Sequence, residues 1–158
     1  MMNIKERSVC CERDYGAMMT TTSLAKFLTE FHKGVLSTRR KDGGSQLSIV
    51  TVGLIDGEIC FSITERRSKF YNLMRDPTCS LLVSQDDWWG YIVVEGKANL
   101  KGSFNTHPET LRKLHRVVYR ETAGKDHPDW EEFDQAMISD QRVAVIIEPE
   151  KIYGTALN

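Results

Sequence analysis

The stretch Thr64–Pro77, TERRSKFYNLMRDP, gathers more chemistry than any other part of the chain. It follows an apolar run, Glu58–Ile63 (EICFSI), that predicts a strand, and it opens a short helical pattern. Arg66, Arg67, Ser68 and Lys69 therefore fall where a strand gives way to a helix. Free backbone N–H groups and the positive end of the helix dipole favour an anion at such a junction. Arg adds a planar fork for phosphate oxygens and Lys a point charge, with the hydroxyls of Thr64 and Ser68 alongside. Each charge-assisted hydrogen bond contributes roughly 1.5–3 kcal/mol net. Two or three of them would hold a mononucleotide-sized ligand near micromolar, about −8 kcal/mol. By charge alone the run reads first as a solvated basic turn that only caps a helix.

The rest of the chain must position that corner. Its 158 residues make one domain of ordinary size, able to bury roughly 70% of its unfolded surface. With 21 basic and 22 acidic residues the net charge is −1, so no global field favours nucleic acid or an anionic membrane. The longest apolar runs, such as Leu47–Ile55, fall far short of a bilayer span. No apolar segment with a small-residue cleavage site opens the chain, so a cytoplasmic location is expected. Cys10, Cys11, Cys60 and Cys79 form no CxxC pair and lack zinc-ligand spacing. Cys60 and Cys79 sit inside apolar strand patterns and read as buried thiols in a reducing compartment.

Residues 1–19 have no period of either kind and read as a flexible leader to a single domain over 20–158. A helix opens with Thr22 or Ser23 as N-cap, repeats Leu24, Phe27, Leu28 and Phe31 on one face, and stops at Gly34. Strands follow at Val35–Arg39, Gln46–Ile55 and Glu58–Ile63, with hairpin turns at Lys41-Asp42-Gly43-Gly44 and Asp56-Gly57. A helix from about Ser68 to Arg75 turns Phe70, Leu73 and Met74 inward. Strands Cys79–Ser84 and Tyr91–Lys101 flank the loop Gln85–Gly90, and Gly96 inside the second suggests a bulge or close backbone approach. Thr106 and Glu109 form a capping box for a helix that buries Leu111, Leu114 and Val118. A further helix, Asp129–Ser139, turns Trp130, Phe133 and Met137 to the core, and Arg142–Glu148 is the last strand. Six strands with short hairpins and inserted helices favour an antiparallel barrel.

In this order the segments Gly34–Val50, Cys60–Val83, Tyr91–Leu100 and Arg142–Gly154 resemble the split β-barrel superfamily of pyridoxamine 5′-phosphate oxidase. Its FMN-binding and deazaflavin (F420)-dependent relatives are included, and the spacing of NLMRDP and WGYIVVEGKANL is most similar to the F420 branch. The resemblance implies a mainly β (α+β), six-stranded antiparallel split barrel, homodimeric, with two cofactors at the interface. It maps the phosphate-binding basic pair onto Arg67 and Lys69, with Thr64 and Ser68 as further donors and Ile63 beside them. A shift of one residue would exchange Arg66 and Arg67. The resemblance also implies that Gln46, Ser48 and Val50 line an FMN or F420 ring, and that Trp89 of the aromatic loop contacts it. Trp88-Trp89 could equally be a plain dimer contact. The oxidase's C-terminal arginine- and histidine-containing segment has no counterpart before Asn158, so vitamin B6 oxidation is not expected.

The four histidines show no metal-ligand spacing, and no metal site is expected. His115 shares a helix with Arg112, Arg116 and Arg120 and reads as a surface residue. That basic face could meet an anionic cofactor tail, or simply be solvated. The expected function is hydride transfer between FMN or F420 and a small conjugated organic substrate, with the chemistry resident in the ring. No catalytic side chain is required by the sequence. The alternative is a non-catalytic carrier or storage protein for FMN or a tetrapyrrole.

Overall fold

One residue, Val52, decides the architecture. The computed structural model describes residues 21–157, and the leader expected over 1–19, with Cys10 and Cys11, lies outside them. In chain order the elements are α1 (Thr21–Glu30), β1 (Lys33–Arg39), β2 (Ser45–Thr51), β3 (Gly53–Ile55) and β4 (Glu58–Thr64). Then come α2 (Ser68–Arg75), β5 (Thr78–Ser84), β6 (Tyr91–Lys101), α3 (Pro108–Ala123), α4 (Trp130–Ser139) and β7 (Arg142–Tyr153). The run expected as one strand over Gln46–Ile55 is thus two, broken at Val52, and the sheet has seven strands rather than six. Val52 is fully buried, and its N–H donates to the His32 carbonyl at 2.7 Å, which carries the β1–β2 register one step past Lys33↔Thr51.

The break closes the sheet. Its order is β2-β1-β5-β6-β7-β4-β3, every pairing antiparallel, so β2 and β3 stand at opposite ends yet are joined through Val52 alone. A sheet whose two edge strands are one residue apart must curl on itself. The closure is incomplete because β3 pairs only with Glu58–Cys60. The Phe61–Thr64 half of β4 and the outer edge of β2 are left facing a gap, and the barrel is split there. This is the α+β split barrel that the sequence pattern implied.

Alternation along the strands fills the interior with Leu36, Phe61, Leu81, Ile92, Val94, Val145 and Ile147, all fully buried. Leu24, Phe27 and Leu28 of α1 and Phe70 and Leu73 of α2 join the same core. Met74 does not, being 54% exposed, although it lies only about 40° from Phe70 around the helix. Outside the barrel, Val118 of α3 packs on Cys60 of β4 and Ala144 of β7. Leu114 is partly buried beside them and Leu111 is only half-buried. Cys60 and Cys79 are buried as expected, and burial pushes both thiols up to about 12.

Several boundaries differ from the sequence pattern. Thr21 is already helical, so neither Thr22 nor Ser23 is the cap, and α1 ends at Glu30 because Gly34 belongs to β1. The capping box at Thr106 does not form. Pro108 fixes the first helical turn one residue later, His107 takes the cap position, and the Thr106 hydroxyl donates to Asn105 Oδ1 at 2.8 Å. Asp129 caps α4, accepting from the Glu131 and Glu132 N–H groups at 3.0 Å each. Phe133 is the buried anchor of that helix, and Trp130 instead packs against Tyr119 under the Arg120 guanidinium, 4.7 Å from its ring. Among the described residues no helix is long and apolar enough to cross a membrane.

β7 also runs past Pro149 to Tyr153, which the proline had argued against. The pairing with β6 jumps from Glu95↔Lys151 to Gly96↔Pro149, so the proline sits at a bulge where no N–H is required. Gly96 is the other half of that device, because a Cβ there would lie 2.1 Å from the Glu148 carbonyl oxygen. Gly96→Ala is expected to destabilise the fold by about 1–3 kcal/mol, read as a lower urea midpoint at unchanged slope.

Candidate functional site

A cleft of about 660 Å³ fills the gap between β2 and β4. That volume suits a drug- or cofactor-sized ligand. One wall is β2, from which Gln46, Ser48 and Val50 point inward and Ile49 and Thr51 form the rim. The other is the outer face of β4 and β7, which contributes Ser62, Thr64 and Arg142, with Ile63 beside them and Thr122 from the end of α3. The head is the start of α2, where Arg67, Ser68 and Lys69 line the space. Gln46, Ser48, Val50, Ile63, Thr64, Arg67, Ser68 and Lys69, all singled out in the sequence, therefore meet in one place. Trp89 does not line the cleft of its own chain. It stands 83% exposed in the hairpin loop between β5 and β6. Arg66 is exposed and lies outside the lining, which separates it from Arg67.

Local geometry explains the head of the cleft. β4 ends at Thr64, whose carbonyl accepts from the Arg67 N–H at 3.1 Å, a tight turn that swings the chain into α2. Arg67 takes the N-cap position with extended backbone and makes no side-chain capping bond. The Phe70 N–H donates to the Arg67 carbonyl at 2.9 Å, which leaves the Ser68 and Lys69 N–H groups with no capping side chain, and no acidic residue occupies that turn. Burial and the neighbouring Arg67 hold the Lys69 amine below its usual range. An anion must find this amine protonated, so affinity is expected to fall with rising pH, starting below 10.5. Phosphate titrations across the alkaline range check this, and Lys69→Arg is expected to flatten the profile.

Arg142, Ser62 and Thr122 had escaped notice in the sequence. Arg142 is cross-strand partner to Thr64, and Ser62 faces Ala144, so register alone brings these polar side chains onto one face. The usable signal was the alternation in RVAVII, where Arg142 shares its phase with Ala144 and Ile146, not with the buried valines. Ser62 Oγ and Arg142 Nε are both buried without a hydrogen-bond partner. The nearest carboxylate oxygen to that nitrogen, Asp140 Oδ2, is 3.6 Å away, an ion-pair distance and too long for a hydrogen bond. Each such orphan costs roughly 1–3 kcal/mol, which a ligand with acceptor oxygens would offset. Three cations and no carboxylate line the cleft, so its charge and the helix polarity at its head both suit an anion.

His115 is the largest correction. It is 4% exposed rather than a surface residue, because the stripe of α3 that carries Leu114, Val118 and Thr122 to the sheet carries His115 with it. Arg112, Arg116 and Arg120 face away and are paired with Glu109, Asp134 and Asp126. That basic face is thus engaged with acids of its own chain. Among the described residues no three His, Cys, Asp or Glu side chains cluster to hold a metal ion.

Known proteins share this architecture. A conserved hypothetical protein from Mycobacterium tuberculosis is 25% identical, with a TM-score of 0.69 over 95% of this chain and 88% of that one. A heme binding protein from Mycobacterium smegmatis superposes with a TM-score of 0.63 at 15% identity, over 86% of this chain and 53% of that one. An F420 reductase gives 0.53 at 20% identity, over 77% of this chain and 89% of that one. The family model described as pyridoxamine 5′-phosphate oxidase matches residues 20–156, nearly the whole described domain. The chain belongs to the pyridoxamine 5′-phosphate oxidase family.

Proposed function

We propose that this protein is an oxidoreductase that holds FMN or F420 in the cleft and moves hydride to or from a small conjugated organic substrate. The observation that carries the reading is the carboxylate-free cleft lining, with Arg67 and Lys69 at the start of α2 and Arg142 on the β7 wall. The orphaned Ser62 Oγ and Arg142 Nε are the test of fit, since both are donors lacking the acceptors that a phosphorylated, hydroxylated ligand brings. Arg67, Lys69 and the first-turn N–H groups of α2 grip the phosphate, and Gln46, Ser48 and Val50 border the ring. When bound, either cofactor supplies the hydride chemistry. The protein's part is to orient the ring and keep water from it, and a substrate proton comes from solvent or a tyrosine such as Tyr91.

The site is shared between two copies of the chain. One apolar row, Ile49–Val35–Leu82–Val93–Tyr153, crosses five strands in direct register. At its β2 end Ile49, at the rim of the cleft, and its neighbour Leu47 are 79% and 66% exposed. A second copy seated on this row closes the cleft, and Trp89, which is outside its own cleft, contacts the partner's ring. Leu82→Asp is expected to turn a dimer into a folded monomer, with light scattering and circular dichroism as the two readings. Both described cysteines are buried thiols, in keeping with a reducing cytoplasm.

The decisive experiment is titration of purified protein with FMN and with F420, followed by absorbance and calorimetry. Binding of one of them near micromolar is expected, about −8 kcal/mol. The reduced complex should then pass hydride to an acceptor, measured against Lys69→Ala. Binding without transfer to any acceptor would leave the carrier reading, which the fold shared with a heme binding protein favours. No histidine lines the cleft, so axial ligation of a haem iron there has no side chain to supply it.

A further inference from the structure

A chain of hydrogen bonds between α2 and the Gln46 end of the β2 wall has only one polarity available to it. Arg75 Nη2 donates to the Arg39 carbonyl at 2.5 Å and to Asn72 Oδ1 at 3.1 Å. A guanidinium has donors and no acceptor, so Asn72 must turn its oxygen toward Arg75. The Asn72 amide nitrogen then faces the other way, where it donates to Thr38 Oγ1 at 3.1 Å and to Gln46 Oε1 at 2.6 Å. Asn72 and Thr38 are 6% and 2% exposed, so water does not compete for these bonds. Gln46 spends its oxygen on Asn72, and its two amide protons are what it has left for the cleft it lines.

We propose that Asn72, held by Arg75, is a positioning residue that locks the Gln46 side chain as a hydrogen-bond donor toward the ligand. The cleft therefore selects an acceptor atom at this point, a ring carbonyl oxygen or an unprotonated ring nitrogen, and disfavours a ring N–H or amino group. The ligand's identity rests on the flavin-type reading above; the side-chain polarity does not. The device sets polarity from outside the cleft lining. Arg75 lies on the exposed end of α2 and Asn72 is buried between α2 and the Thr38–Gln46 cross-strand pair, so neither lines the cleft. An isolated glutamine amide can present either end to a ligand, and this one has had that choice removed.

The test substitutes Asn72→Asp. Aspartate accepts from Arg75 and from the Gln46 amide nitrogen, which turns the Gln46 oxygen into the cleft. Calorimetry with FMN or F420 is expected to show affinity about tenfold weaker, about 1.4 kcal/mol. In a Gln46→Met background the same change is expected to do almost nothing, since the group it reorients is gone. Arg75→Lys, still a pure donor, should keep the affinity, and Arg75→Met should weaken it. Equal loss in both backgrounds, or none in either, would overturn the proposal. Solvent exchange of the side-chain amides, followed by nitrogen-15 NMR without ligand, decides the polarity independently. The Gln46 protons should exchange freely in the wild type and become protected in Asn72→Asp; an unchanged pattern sinks the relay. A wild-type protein that binds neither cofactor yet shows this reversal would refute the flavin-type reading and leave the relay standing.

Discussion

Replacing Arg67 and Lys69 together by alanine is expected to weaken FMN or F420 binding by at least about a hundredfold, with the fold intact. Two charge-assisted hydrogen bonds at roughly 1.5–3 kcal/mol each set that scale. Each single variant should cost about tenfold or more, and the two should not add. Arg67 depresses the Lys69 amine, so removing Arg67 lets Lys69 hold its proton more firmly and compensate in part. The double variant must therefore lose more than the sum of the singles. Arg66→Ala supplies the contrast: Arg66 is exposed and outside the cleft, so affinity should stay within about twofold. Calorimetric titration of the four proteins checks all of this. Unchanged affinity in the double variant would remove the phosphate from this corner, and a large loss in Arg66→Ala would exchange the roles of the two arginines.

What could be read from the sequence was what is local. The basic corner was legible because strand end, helix start and cations lie within Thr64–Lys69, where no folding is needed to bring them together. The turn at Gly43 was legible for the same reason, and the glycine does take the positive φ of 84° that the hairpin demands. Gly96 announced its bulge, although its partner Pro149 looked like a strand end, because only the pairing of the two makes either intelligible. The break at Val52 left no trace in the run Leu47–Ile55, since it arises where the chain passes from pairing with β1 to pairing with β4 as the barrel closes. Arg142 and Ser62 reach the cleft by cross-strand register, and Asn72 reaches Gln46 across 26 residues. Periodicity assigns a residue to a face but not to a neighbour. His115 is a failure of a different kind, for its arginine neighbours at i−3, i+1 and i+5 argued for water while its phase argued for the sheet. The sheet won because Leu114 and Val118 bury apolar area there and the helix cannot rotate without exposing them.

That buried histidine makes the second large prediction. Between pH 6.5 and about 4 the protein is expected to lose about 3 kcal/mol of stability through His115 alone. Burial is the main reason its imidazole stays neutral down to about 4, and the Arg142 charge acts in the same direction. Hydrogen bonding to the Arg142 backbone and the nearby Asp134 oppose the shift without reversing it. In this window the unfolded chain takes up a proton that the folded chain refuses, so acid favours unfolding. The contribution is whole above about 6.5 and gone near 4. Asp42, Asp76 and Asp134 titrate below their usual 3.8, held down by hydrogen bonds, and so weaken the fold only at lower pH. The two causes therefore separate along the pH axis. Urea unfolding at intervals from pH 7 to 2.5 should show a slope between about 6.5 and 4 in the wild type that His115→Gln removes, while the loss below pH 4 persists in both. If the slope survives in the variant, another group carries it. Should it vanish, the same titration bears on the cleft. His115 charges beside Arg142, so over the same acid range the affinity for an anion should follow a different pH profile in the wild type from that in His115→Gln, beyond the anion's own protonation, which both share.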